Sequence, residues 1–514
     1  MHFSVPDTQE LCVDAPNGGG GGGLVTGPTY TVYNIYINGN YHCKLRYKQL
    51  HEFYEQLRRR CADAALPPFP PKRLLPLTNS QLETRRAALE HYLQIIGQDV
   101  RIARLPFLQQ FLQRAQLETA LAESTVSTDS EEQQLEIEVY TKAAGAQLLV
   151  NCHVQQNTSA LLQTVCRALK LPPELQQFFC LYLMRKLPSV SGEPTPTVLL
   201  LRRLMDFESP YITRLHAQPC QLLLRTSYWN SGWDAKLLGN SVAVNLLYNQ
   251  TVADVAREWI ICTPELGHQL HSLQMQARSL QYLELARQLP SYGCLQFAAA
   301  HVDYPENDTT ALVSIGNKEL SLRTARGAKI YETKFRVTRM RCWRVSAMHN
   351  TLESRDQPSQ LQLAFEYLMS KQTLRWITIT SSQAMLMSVC LQAMVDELLH
   401  QTAGDGNSDD ELERNGRAVS TSASSESTSS TPSSASSTST SYMSNFTAAN
   451  TSASTTPPVK FLAQRLTPTS KQQHKLTTSR TFAAVFFRND SSNASEVASS
   501  VRNEAFEGIG DDDL

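Results

Sequence analysis

This 514-residue sequence lacks any excess of charge: 47 Lys and Arg stand against 48 Asp and Glu, a formal net charge of -1. Such a balance excludes a global electrostatic pull toward nucleic acid or an anionic membrane, so any basic site is a local patch. Cysteine patterning is missing too. The eleven cysteines run from Cys12 to Cys390 with no Cys-x-x-Cys pair, which argues against a disulfide scaffold or a zinc finger and for reduced thiols in the cytosol. No basic run followed by an apolar stretch opens the chain, and nowhere do about 18 apolar residues run together, so neither a signal peptide nor a membrane span is expected. Enzyme signatures are absent as well: no Gly-x-Ser-x-Gly, Walker loop, dinucleotide fingerprint or His-Glu-x-x-His. His268 and His271 share a helical face but lack a third metal ligand. No catalytic residue, metal or cofactor is expected.

What is present falls into segments. Gly18 to Gly23 is an uninterrupted glycine run with no Lys-Ser/Thr behind it, a flexible insertion and not a phosphate loop. Thr31, Tyr33, Ile35 and Ile37 alternate, Asn38-Gly39 supplies a two-residue hairpin turn, and Tyr41 to Tyr47 returns. Leu50, Phe53, Tyr54 and Leu57 then show helical spacing. Proline interrupts from Leu66 to Leu77, Ser80 and Glu83 read as a capping box, and Leu82, Leu89, Leu93 and Ile96 form the next stripe. Residues 1–118 are thus expected to form one α+β domain. A second pattern over 131–230, hairpin then helix then strands, has the order of a ubiquitin-like roll. Helical periodicity fills 231–290. Strands over 291–402, including one from Phe335 to Val345, close with an amphipathic helix from about Ser382 to His400. From Ser420 to Ser441, 18 of 22 residues are Ser or Thr, too polar to offset the entropy of ordering, so 403–500 is expected to be a disordered tail.

One constellation carries chemistry. Arg46 and Tyr47 follow the hairpin, Lys72 lies in the proline segment, and Arg85 and Arg86 open the second helix. Arg forks a phosphate, Lys acts as a point charge, and an aromatic ring supports a sugar-like face, so their convergence suits a phosphorylated inositol. Arg46-Tyr47, then Pro67-x-x-Pro70-x-Lys72, then Arg85-x-x-x-Leu89-x-x-Tyr92 resembles the phox-homology (PX) motif set in order and spacing. The resemblance implies that Arg46 holds the 3-phosphate of phosphatidylinositol 3-phosphate, Tyr47 supports the ring, Lys72 meets the 1-phosphate and Arg85 the ring hydroxyls. Arg86 is the neighbouring alternative to Arg85. Leu74, Leu75 and Leu77 would dip into the bilayer, giving reversible recruitment.

A phox-homology domain followed by ubiquitin-like, helical and phosphotyrosine-binding-like lobes resembles the atypical FERM arrangement of a small subgroup of sorting nexins. The stretches Phe335 to Val345 and Leu363 to Lys371, the opening Met1-His2-Phe3-Ser4 and the closing Phe506 to Gly510 carry that resemblance; the glycine run and the Ser/Thr-rich tail depart from it. It implies a non-enzymatic adaptor, peripheral on early endosomes, that binds Asn-Pro-x-Tyr or Asn-x-x-Tyr tails of receptors of the lipoprotein-receptor and integrin type. An extended peptide adding a strand near Phe335 to Val345 fits this physically. Trp343 and Val395 match cargo-contacting positions, and both residue types are equally at home in a core. Residues 501–514 form an acidic terminal motif. There the resemblance implies coupling to the retriever recycling complex through Ile509, Asp511, Asp512, Asp513 and Leu514; a PDZ ligand is the competing reading. A Ras-effector or cytoskeletal scaffold acting through the first FERM lobe is the alternative function, with a Ras-type GTPase as partner. Nucleic acid is not expected as a partner.

Overall fold

The computed structural model describes residues 1–12, 29–61, 66–123, 133–139, 146–187, 198–217, 219–326, 329–348, 360–370, 373–416, 501–503 and 505–506. The glycine run, the Ser/Thr-rich stretch and 507–514, and the expectations attached to them, lie outside the described residues.

The first unit is a four-stranded antiparallel sheet with four helices. β3 (Thr29–Ile37) pairs with β1 (Phe3–Ser4), β2 (Thr8–Cys12) and β4 (Asn40–Arg46). The expected turn is present: Asn38 and Gly39 both adopt positive φ, 49° and 75°, as the twist of a two-residue hairpin requires. α1 (Tyr47–Arg60) buries Leu50, Phe53 and Leu57. α2 (Asn79–Gln98) buries Leu89, Leu93 and Ile96 as its stripe demands; α3 (Val100–Ala103) and α4 (Pro106–Ala122) complete the unit. The capping box differs from the sequence reading. Thr78 is the N-cap: its Oγ1 accepts from the Gln81 N–H, and Gln81 Oε1 accepts from the Thr78 N–H, both at 3.3 Å. Ser80 already lies inside the first turn, and Glu83 is engaged by Arg86.

The second unit comprises β5 (Gln133–Val139), β6 (Ala146–Cys152), α5 (Thr158–Ala168), β7 (Phe179–Lys186), β8 (Val198–Arg203), α6 (Pro210–His216) and β9 (Gln221–Thr226). Its order is β6-β5-β9-β7-β8 with β5 and β9 parallel, the ubiquitin-like roll. Helices α7 (Asp234–Leu237), α8 (Ser241–Ala256), α9 (Pro264–Met275) and α10 (Ser279–Ala286) form the third unit.

The fourth is a sheet of β10 (Leu295–Gln296), β11 (Ala300–Val302), β12 (Thr309–Gly316), β13 (Glu319–Arg326), β14 (Lys329–Arg336), β15 (Met340–Met348), β16 (Gln360–Ser370) and β17 (Thr373–Thr380), closed by α11 (Ala384–Gly416). Two expectations are corrected here. Phe335 to Val345 is not one strand: a 3-10 turn at Val337–Arg339 separates β14 from β15. This sends the two strands to opposite ends of the sheet path, β14-β13-β12-β11-β17-β16-β15. The closing helix also runs past His400 and past the expected boundary at 403, with no proline between Ser382 and Gly416 to stop it.

The units share buried contacts. Phe207, from the second unit, is 4% exposed within the apolar core of the first and meets the His42 ring edge-on at 5.7 Å. Nearby, Gln116 Oε1 accepts the Ser209 N–H at 2.8 Å. Arg225 forks Asp254 at 2.9 and 2.8 Å between the second and third units. On α11, the Glu397 carboxylate accepts from the backbone N–H groups of Trp229 and Asn230 and from the Trp233 indole, at 2.8 to 3.0 Å. Tyr182, Met184 and Trp229 join the same apolar cluster as β12, β15 and α11.

Candidate functional site

The expected lipid-binding residues come from three elements, and an aromatic cluster brings those elements together. Phe69 of the proline segment stacks on Tyr54 of α1 at 4.7 Å and meets Tyr92 of α2 edge-on at 5.0 Å. This seats a segment that has no regular hydrogen bonding of its own. Tyr47 is the hub: its hydroxyl donates to the Pro70 carbonyl at 2.7 Å, and the Arg85 guanidinium lies 4.2 Å from its ring centroid. Arg85 Nη2 also donates to the Pro71 carbonyl at 3.4 Å. Arg46, at the β4–α1 junction, is exposed with its guanidinium 3.3 Å from the Tyr30 ring centroid. Lys72 is exposed two residues beyond Pro70.

Arg86 stands apart from this group. It forks Glu83, bonds Glu90 at 2.9 Å and donates to the Val5 carbonyl. Hydrogen bonding to Glu83 outweighs desolvation and raises its pKa further. Leu74 and Leu75 are fully exposed at 103% and 80%, beside exposed Arg73, while Leu77 is half-buried. The loop therefore presents two leucines to solvent and not three.

The second candidate site is the edge of β15. Trp343 and Val395, expected to contact cargo, are both in the core, 0% and 1% exposed. The indole Nε1 of Trp343 donates to Ser388 Oγ on α11 at 3.0 Å. What lies on the edge is a strand of the chain itself. β18 (Val501–Arg502) pairs antiparallel with β15, Val501 opposite Trp343 and Arg502 opposite Cys342. Val501 enters the cluster that contains Trp343 and Val395, and Ala505 packs against that cluster.

Asn503 is the most specified residue of the segment. Its Nδ2 donates to the carbonyls of Val337 and Met340 at 2.8 and 2.7 Å, its N–H donates to the Arg341 carbonyl, and its Oδ1 accepts the Ala505 N–H. The Phe506 N–H then returns to the Asn503 carbonyl at 3.2 Å. The 3-10 turn between β14 and β15 thus offers two carbonyls that a neutral side-chain amide satisfies and a carboxylate cannot. Sequence reasoning missed this occupant, although Asn503-x-x-Phe506 is legible as the same kind of string as the expected cargo motif. The retriever-contact residues Ile509, Asp511, Asp512, Asp513 and Leu514 lie outside the described residues.

Among the described residues, no cluster of three His, Cys, Asp or Glu side chains is arranged to hold a metal ion, and no helix is long and apolar enough to cross a membrane. An α+β domain with its basic and aromatic cluster, joined to three lobes, the last with a strand of the chain's own tail on its sheet edge, defines a PX–FERM protein. Family models match segment by segment: the PX domain over 33–115, the F1 lobe of the sorting nexin 17/27/31 FERM domain over 135–229, the F2 lobe of the 17/31 type over 230–290, and the sorting nexin 17 FERM C-terminal domain over 293–399. Human sorting nexin-17 is 41% identical over 414 residues, covering 79% of this chain and 83% of the relative. The zebrafish (Danio rerio) sorting nexin-17 is 34% identical across the whole of both chains, and human sorting nexin-31 is 31% identical over 79% of this chain and 87% of its own. The chain belongs to the PX–FERM sorting nexins of the sorting nexin-17 type, phosphoinositide-binding adaptors of endosomal sorting with protein partners at their FERM lobes. Such adaptors are in general non-enzymatic and peripheral on endosomal membranes.

Proposed function

We propose that this protein is an early-endosomal cargo adaptor. It reads phosphatidylinositol 3-phosphate with Arg46, Tyr47, Lys72 and Arg85, with Leu74 and Leu75 entering the bilayer. It captures Asn-Pro-x-Tyr or Asn-x-x-Tyr tails of lipoprotein-receptor and integrin type on the β15 edge. Its last residues, Ile509, Asp511 to Asp513 and Leu514, couple the captured receptor to the retriever complex. Needing lipid and cargo together raises effective affinity without either contact being tight.

The observation that carries the cargo reading is the occupant of β15. An Asn-x-x-Phe string lies there by strand addition, its amide bonded to the Val337 and Met340 carbonyls. A receptor peptide with Asn and an aromatic at the same spacing meets the same acceptors. Peptide and tail strand cannot pair with one edge at once, so they compete.

Calorimetric titration with an Asn-Pro-x-Tyr peptide tests this. The Asn503→Ala chain is expected to bind several-fold more tightly than the unsubstituted chain, because its own strand is weakened. Absence of binding to either chain removes the cargo assignment.

A further inference from the structure

The short strand β1 fixes the position of a side chain that leaves the PX unit altogether. Phe3 and Ser4 pair with Ile37 and Tyr36, and the Phe3 ring lies so close to Gly97 that a Cβ there would fall 2.5 Å from Phe3 Cδ2. His2 is held from both sides by the hairpin turn: its N–H donates to Asn38 Oδ1 at 2.9 Å, and the Asn38 N–H donates to the His2 carbonyl at 2.7 Å. From this clamp the imidazole reaches α11 of the last FERM lobe, with Nε2 3.0 Å from Ser388 Oγ.

Ser388 is 0% exposed and accepts the Trp343 indole N–H, also at 3.0 Å. An indole only donates, so the hydroxyl keeps a proton of its own, and a neutral imidazole with its hydrogen on Nδ1 accepts that proton at Nε2; we assign His2 this tautomer. Desolvation keeps that imidazole neutral, holding its pKa down to about 3. With that tautomer, removing His2 takes away the acceptor of a buried hydroxyl proton, a fault at the residue that bonds Trp343. Trp343 in turn supplies backbone to the pairing with Val501.

We propose that His2, a residue of the lipid-binding domain, is a positioning residue for the peptide edge: through Ser388 and Trp343 it holds β15 in the register that receives an Asn-x-x-aromatic strand. The proposal rests on the reading of β15 as the peptide edge and adds that the PX unit is part of what shapes it.

Hydrogen–deuterium exchange of Val501 to Phe506 in the full chain tests this without any receptor peptide. His2→Ala and Ser388→Ala are each expected to speed exchange about three- to tenfold, the net worth of one hydrogen bond. The double variant should exchange no faster than the faster single one, because both break one chain of bonds. His2→Gln, whose side-chain oxygen can accept from Ser388, should stay near the unsubstituted rate. Pelleting on phosphatidylinositol 3-phosphate vesicles should be unchanged in all of them. Unaltered tail exchange in a folded His2→Ala chain, or His2→Gln behaving like His2→Ala, overturns the proposal. Because the readout is the chain's own strand, failure of the receptor-peptide titration is a separate result. In an Asn503→Ala background the same His2 substitution should weaken receptor-peptide binding by a similar factor, which joins the two readings.

Discussion

Adjacent arginines on one helix do different work here. Arg85 lies over the Tyr47 ring, and Arg86 is consumed by Glu83, Glu90 and the Val5 carbonyl. The two are expected to separate by experiment. Arg46→Ala should abolish pelleting on phosphatidylinositol 3-phosphate vesicles and Arg85→Ala should weaken it, both at unchanged melting temperature. Arg86→Ala should lower the melting temperature and leave the lipid affinity of the folded fraction intact. Vesicle pelleting beside thermal denaturation checks all three. His42 gives a pH dependence. Burial against Phe207 holds its imidazole down to about 4 against a nearby Glu208 that pulls upward, while Arg202 lowers it and Nε2 donates to the Leu112 carbonyl at 3.0 Å. The unfolded chain therefore binds a proton below about pH 6.5 that the folded chain refuses, so stability falls as pH drops from 6.5 toward 4, by about 2 kcal/mol at pH 5 for this one group. Denaturation at pH 7.5 and pH 5 should show the loss, and His42→Gln should reduce it.

At the scale of elements, the β14–3-10–β15 connection decides where the chain's own tail strand docks. The Val337 and Met340 carbonyls, the first of which also accepts the Met340 N–H, both accept from the Asn503 side-chain amide, while the strand behind them is generic. Trp343 is the wrong residue with which to test peptide contact, because its ring is wholly buried and bonded to Ser388. Trp343→Ala should cost about 3 to 5 kcal/mol of stability. It should lose peptide binding only as the lobe loosens, as near-ultraviolet circular dichroism alongside the titration would show. The alternation of β3, the Asn38-Gly39 turn and the stripes of α1 and α2 were legible because each is a local rule with a period or a turn residue attached. The capping box was misplaced by two residues because Thr78-x-x-Gln81 and Ser80-x-x-Glu83 satisfy the same pattern. Only the direction of the chain leaving the proline segment chooses between them. Phe335 to Val345 read as one strand because a 3-10 turn of Val, Thr and Arg carries no Gly or Pro to mark it.

Across the whole molecule, buried side chains join the PX and FERM parts. Phe207 completes the apolar cluster of the PX unit from the second unit, and Glu397 locks α11 onto the segment between the second and third. One cooperative unfolding transition is expected in calorimetry. Phe207→Ala should remove about 3 to 5 kcal/mol and split the transition in two as the PX unit melts apart from the rest. On the function proposed above, buried contacts between the parts would present the lipid site and the peptide edge in a defined geometry, which favours simultaneous binding.

By itself the sequence determined the class of each segment, the hairpin and its turn, the helical stripes and the set of cations fit for a phosphorylated headgroup, because period, turn chemistry and residue type are local. It also contained Asn503-x-x-Phe506 in plain view. Only the tertiary structure decided that Arg85 and not Arg86 faces Tyr47, that Trp343 points inward, that the tail string lies on β15, and that His2 reaches Ser388 across the lobes. Those outcomes depend on contacts between groups far apart in the chain, and which of them meet and are buried is a property of the assembled fold.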